Sequence, residues 1–194
     1  MTERPILFSA PMVRAILEGR KTQTRLVVKM PEGLLHKNAR LVDVEPYGDE
    51  PPCATACFDF DIPHKGRIKV KCPYGCPCAP GDRLWVRETH GIDSVGGRHY
   101  RATTAVAHCV PKWKPSILMR RDDSRITLEV TGVWVERVRY ISMADVLAEG
   151  CILSTSKTEP LDYQNLWDTI NAKRGYGWDV NPWVWVIEFR RIEQ

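Results

Sequence analysis

The chain has 194 residues, 43% of them hydrophobic and 27% charged, which suits one domain with insertions or at most two small ones. Lys plus Arg minus Asp plus Glu is 28 − 24 = +4, a mild basic bias that permits an anionic partner such as RNA or a nucleotide without demanding one. No stretch is apolar for the length of a membrane span, and MTERPILFSAPM lacks the build of a secretion signal, so a cytoplasmic location with reduced cysteines is expected.

The segment SAPMVRAILEGRK predicts a short helix. Pro11 suits its first turn, Met12, Val13, Ile16 and Leu17 form an apolar stripe, and Gly19 ends it. An extended segment follows from Thr24 to Val28. From Pro31 to about Gly66 the periodicity fails among Pro, Gly and Asp, which predicts a long insertion with one strand at Ala39 to Val44. Order returns with IKVKC and then PGDRLWVRE, where a Pro-Gly-Asp turn launches a strand. An irregular patch, HCVPKWKPSILMRRDDS, leads to the longest strand signal, RITLEVTGVWVERV, broken near Gly132. In SMADVLAEG, Ser142 and Asp145 have capping-box spacing and Gly150 is a stop. EPLDYQNLWDTINAK predicts a second helix with Tyr163, Leu166, Trp167 and Ile170 on one face, and NPWVWVIEFRR a strand buried on both faces. The expected architecture is a single α+β domain over 1–194, a small mixed or antiparallel β-barrel with flanking short helices. The loop-rich insertion, with its cysteines, spans about 31–78.

Four stretches are candidates for chemistry. GRKTQTR, at 19–25, holds three cations and two hydroxyls without a carboxylate. Arg20 and Lys21 suit the negative end of a helix dipole, and that alone would account for them. Lys21 and Thr24 also lie three apart across a helix-to-strand corner. A threonine beside a neutral lysine is a nucleophile with a base, whereas a charged lysine with the same hydroxyl is a phosphate clamp. Glu149 ends the SMADVLAEG helix at the unfavourable pole of its dipole, either as an exposed helix-end residue or as a proton carrier. In GDRLWVRE, Arg83, Arg87 and Glu88 bracket Trp85, an arrangement that offers cations and an aromatic to a base or phosphate, or equally a core tryptophan with solvated neighbours. Trp178, in RGYGWD, is the tryptophan expected to be exposed. Cys53, Cys57, Cys72, Cys76 and Cys78 crowd together, but as C-x3-C and C-x3-C-x-C with one thiol left over. No metal or other cofactor is therefore expected, with a zinc on these cysteines the lesser alternative.

ILEGRKTQTR, PGDRLWVRE, RITLEV, the S-x-x-D-x-x-x-E-G helix and WVWVIEFRR, taken in that order, resemble an ASCH-domain protein. CPYG before the PGD turn and RGYGWDVNPWVWVIEF at the end are similar to the long form encoded in phages and prophages. The resemblance implies a PUA-like pseudobarrel with a cleft for RNA or nucleosides. It also implies relation to the amidohydrolases that remove the acyl group from N(4)-acetylcytidine. Carried over from their G-R-K-T-x-T segment and helix-end glutamate, the catalytic residues are Lys21, Thr24 and Glu149. Arg20, Arg25, Arg83, Trp85, Arg87 and Glu88 are then expected to bind substrate, a modified nucleoside. Other proteins of this kind are RNA binders or ribonucleases, so an RNA-binding module or ribonuclease using the same basic cleft is the alternative.

Overall fold

The computed structural model describes residues 1–30, 39–46, 54–62, 66–71, 76–105, 109–152 and 159–192. In chain order these form β1 (Glu3–Leu7), α1 (Ala10–Leu17), β2 (Gln23–Val27), β3 (Ala39–Pro46), β4 (Ala54–Ile62), β5 (Gly66–Lys71), β6 (Arg83–Arg87), β7 (His90–Ile92), β8 (Arg98–Tyr100), β9 (Trp113–Lys114), β10 (Thr127–Arg137), α2 (Met143–Ala148), α3 (Glu159–Asn171) and β11 (Trp183–Ile192), with single turns of 3-10 helix between some of them. The fold is α+β. Among the described residues no helix is long and apolar enough to cross a membrane.

The main sheet has the order β1-β6-β10-β11-β2. β1 runs parallel to β6, and the other neighbours are antiparallel. The near-continuous apolar run of β11 has a direct cause. Val184, Trp185, Val186 and Ile187 are all buried because both faces of this strand are covered. Trp185, Ile187 and Phe189 join Phe8, Val13, Ile16, Leu128 and Val130 in the larger hydrophobic cluster. Val184 and Val186, on the other face, join Val138, Val146, Tyr163 and Trp167 in a smaller one. Full burial of each such side chain contributes about 1.5–3 kcal/mol over exposure. β10 carries the irregularity expected at Gly132, where its register with β11 shifts between Val130 and Gly132.

Two expectations are corrected. Among the described residues the sheets do not close into a barrel: the main sheet ends at β1 on one side and β2 on the other. The outer edge of β2 is met by a side chain where a barrel would place a strand, because Lys21 Nζ donates to the Gln23 carbonyl at 2.7 Å. The insertion is also more ordered than a loop, since β3, β4 and β5 form an antiparallel three-stranded sheet. In β4 the pattern CFDFDI alternates apolar and acidic residues, a strand signature obscured by the Pro, Gly and Asp around it. A further three-stranded sheet, β8-β7-β9, occupies part of the irregular patch.

Two helix ends are joined at the open edge of β2. Past α1, the Arg20 and Lys21 amides both donate to the Ala15 carbonyl, and the Thr22 amide donates to the Ala148 carbonyl at the end of α2. α2 starts with the capping box predicted at Ser142 and Asp145. It stops at Gly150, whose φ of +86° lies in the left-handed region. A Cβ on Gly150 would sit 2.7 Å from the Ala15 Cβ and 3.0 Å from the Lys21 Cβ. Gly150→Ala is therefore expected to destabilise the protein by more than ~1 kcal/mol, from left-handed strain and overpacking together. Urea denaturation measures this; an unchanged midpoint would show that the two helix ends are not tightly seated.

Candidate functional site

Helix α1 ends in a corner, and the corner places Lys21 inside the protein. Its side chain is fully buried, as is nearly all of Glu149, the residue that caps the end of α2. The two pair across an isolated backbone bridge. Lys21 Nζ donates to Glu149 Oε2 at 2.7 Å, to the Gln23 carbonyl at 2.7 Å and to the Glu149 carbonyl at 3.0 Å. Three acceptors match the three N–H groups of an ammonium. The Phe8 ring lies 5.4 Å from Nζ and covers it from the larger core.

Arg25 completes the cluster from β2. Its Nη1 donates to Glu149 Oε1 at 3.2 Å, and its Nε and Nη2 donate to Glu136 Oε1 at 3.0 and 2.8 Å. Asp145 stands 3.5 Å away. Two cations thus face three carboxylates, so the cluster carries one negative charge in excess. Burial works against the Arg25 charge, but Glu149, Tyr163 and Glu136 more than offset it and hold the guanidinium charged. Asp145 is desolvated too, yet hydrogen bonds from Ser142 and the nearness of Arg25 keep its carboxyl below the usual range. The strand register explains the convergence. Arg25 lies opposite Val186, Val186 opposite Trp134, and Glu136 two residues on shares their face.

This cluster borders a cleft of about 630 Å³, within the size range of a small-molecule site. Thr24, Arg25 and Glu149 line it on one side. Phe8, Met12 and Trp185 line it from the larger core, and Tyr163, Leu166 and Ile170 from α3. The Thr24 and Tyr163 hydroxyls make no hydrogen bond to any described residue, although both residues are over nine-tenths buried. Burial, then the neighbouring Glu149 charge, push the Tyr163 phenol well above the ordinary tyrosine range, so it stays a donor.

The structure brings Thr24, Arg25 and Glu149 together at the cleft, with Lys21 buried behind Glu149 and not itself lining it. It places Arg83, Trp85, Arg87 and Glu88 elsewhere, because β6 is separated from β2 by β10 and β11. Trp85 is buried with the Arg87 guanidinium 4.6 Å from its ring, and Glu88 is buried in a pair with Arg125. None of these four lines the cleft. Arg20 turns away to Glu18 and the Gly150 carbonyl. Trp178, expected to be exposed, is half-buried against Tyr163. Cys76 and Cys78 are buried in the larger core and Cys57 is buried on β4, while Cys53 and Cys72 lie outside the described residues. Among the described residues no group of three or more metal-ligating side chains is assembled.

Glu136 and Tyr163 are the site residues that sequence reasoning missed. Glu136 gave a faint signal, as the acid that ends the apolar VWV run of β10. Tyr163 gave none, because a stripe facing a core and a stripe facing a cleft read alike. Lys21→Met is expected to cost about 1–3 kcal/mol, since the buried Glu149 carboxylate loses one of its two cations and keeps Arg25. Adding Glu149→Gln to that variant should recover part of the loss. Strictly additive effects in a double-mutant cycle by urea denaturation would show that the two side chains are not coupled.

No family model matches the chain, and no curated protein matches it. Among solved structures, that of an ASCH domain from Lactobacillus crispatus JV V101 is similar over 98% of this chain and 79% of that one, at 10% identity and a TM-score of 0.45. A likeness of that size carries no argument, and the functional reading rests on this chain's own residues.

Proposed function

We propose that the protein hydrolyses the acyl–nitrogen bond of an N(4)-acylated cytidine or a related modified nucleoside. Thr24 is the nucleophile, Lys21 the base and Glu149 the proton carrier. One observation carries this reading: Thr24, whose hydroxyl bonds no described residue, lines a nucleoside-sized cleft whose wall also holds Glu149, itself 2.7 Å from a buried lysine. The resemblance of the GRKTQTR segment and of Glu149 to the amidohydrolase pattern supports the same assignment.

The chemistry follows from the proton balance of the pair. At rest Lys21 is an ammonium, and no hydrogen bond joins it to Thr24. Passing one proton across the short contact to Glu149 leaves a neutral amine whose lone pair faces the new Glu149 hydroxyl, until rotation about Cε–Nζ turns it toward Thr24. The amine then takes the Thr24 proton as Oγ1 attacks the acyl carbonyl. The Tyr163 hydroxyl, which belongs to a residue lining the same cleft and bonds no described residue, is assigned the donor to the developing oxyanion. Glu149 returns its proton to the leaving N4 nitrogen, which restores the ammonium–carboxylate pair. A second transfer from Lys21 to Glu149 frees the amine to deprotonate water, the water attacks the acyl-threonine ester, and Glu149 returns a proton to Thr24 Oγ1.

The rival reading, an RNA-binding module or ribonuclease, needs free cations at the cleft. The Arg25 side chain is fully buried and tied to carboxylates, and Arg20 is bound to Glu18. That weighs against a phosphate clamp built on Arg20 or Arg25; Lys29 and Arg174, which also line the cleft, are the cations the rival reading would use. Thr24→Ala is expected to abolish acetate release from N(4)-acetylcytidine while leaving the thermal midpoint unchanged, and Thr24→Ser to retain measurable turnover. Tyr163→Phe should lower kcat about ten- to a hundred-fold with a smaller change in KM. Full activity of Thr24→Ala would remove the nucleophile; RNA retention that falls steeply with salt, without acetate release, would favour the rival.

A further inference from the structure

We infer that the outer edge of β2 is the base-reading element of the cleft, and that the main-chain N–H and C=O of Arg25 hold the donor–acceptor edge of a planar heterocycle. The inference deepens the nucleoside reading of the same site and rests on it.

The phase of the ladder fixes which backbone groups face outward. The Val28 amide donates to the Trp183 carbonyl, and the Phe189 amide donates to the Thr22 carbonyl. Residues 22, 24, 26 and 28 therefore direct their polar groups at β11. Residues 23, 25 and 27 direct theirs away from the sheet, and β2 is its last strand. The Gln23 carbonyl is taken by Lys21 Nζ. At Arg25 and Val27 no other strand, and no side chain of a described residue, takes the outward groups.

Arg25 itself shows where that edge looks. Its side chain has no exposed surface, yet the residue lines the cleft and is 6% exposed. The part of Arg25 that the cleft meets is thus its main chain. In an extended residue N–H and C=O point to one side, close together, and form a two-point dock for a neighbouring acceptor and donor. Cytosine carries such a pair in N3 and the N4 hydrogen, and one N4 hydrogen survives acylation. A ring bonded there projects from the strand in the plane of the sheet. Phe8 and Met12 then lie on one side of it and Tyr163 and Leu166 on the other, all four lining the cleft. A peptide adding as a strand fits less well, because Lys21 already occupies the Gln23 end and leaves two residues of free edge. An unpaired backbone pair in a recess is costly to leave dry, which gives the cleft its preference for a ligand with a matching edge.

The test uses wild-type protein and ligands that differ in single atoms. Titration calorimetry compares cytidine with 3-deazacytidine, which lacks the N3 acceptor, with N4,N4-dimethylcytidine, which lacks the N4 donor, and with 5-methylcytidine. Loss of either member of the pair should weaken binding about tenfold, whereas 5-methylation should change it less than threefold. Equal affinity across the four nucleosides overturns the inference, and so does absence of binding by both cytidine and N(4)-acetylcytidine. Acetate release from N(4)-acetylcytidine, assayed alongside, separates the two ideas. Turnover with no sensitivity of KM to 3-deaza replacement would sink the edge and leave the hydrolase standing. Edge-dependent binding without turnover would do the reverse.

Discussion

A lysine ammonium buried without a partner costs several kcal/mol, and the architecture around β2 is arranged to avoid that cost. Lys21 receives an acceptor from the start of β2, one from the backbone at the end of α2 and one from the Glu149 carboxylate. The two from Glu149 hold the corner after α1 against the end of α2. The pair therefore fixes where α1 stops, where α2 stops and how both meet the sheet. Arg25 extends the constraint to β10 through Glu136, and Asp145 serves at once as the capping-box acid of α2 and as a neighbour of Arg25. Such a cluster contributes little net stability compared with an apolar replacement, but it tolerates few alternative arrangements. That is the property a site needs when proton positions matter.

The cleft exists because the sheet ends at β2. A further strand there would have satisfied the edge and filled the space. Instead α1 and α3 cover the two faces, each over its own hydrophobic cluster, and the gap between them runs along the open edge. The absence of barrel closure and the presence of the cleft are thus one fact.

Much of the frame was legible from local rules. The stripe and stop of α1, the Ser142–Asp145 box, the break at Gly132 and the doubly buried β11 are all short-range signals, and each has its counterpart in the fold. Spacing also suggested that Lys21 and Thr24 lie close. What it could not supply was the third dimension. Glu136 meets Arg25 from 111 positions away, by a register that only the assembled sheet defines. The same limit explains the misplacement of Arg83, Trp85, Arg87 and Glu88: a strand of mixed cations and aromatics reads as a recognition surface until its position in the strand order is known. In the insertion, turn-forming composition outweighed the alternation in β4, since breakers are strong signals and a single short strand is a weak one.

Helix α3 supplies one wall of the cleft and none of its charges. Leu166 and Ile170 reach the cleft while remaining partly exposed, and Tyr163 and Trp167 anchor the helix in the smaller cluster. The acid–base groups sit on β2, β10 and the ends of α1 and α2. Reactivity and selectivity are thereby written in separate stretches of chain. Side chains at 166 and 170 can be enlarged, trimmed or made polar without disturbing a single ion pair of the floor. On the hydrolase reading proposed above, drift in α3 would move the molecule across a range of acyl groups or bases while the reaction stayed the same, which makes this helix the natural place to retarget the protein by design.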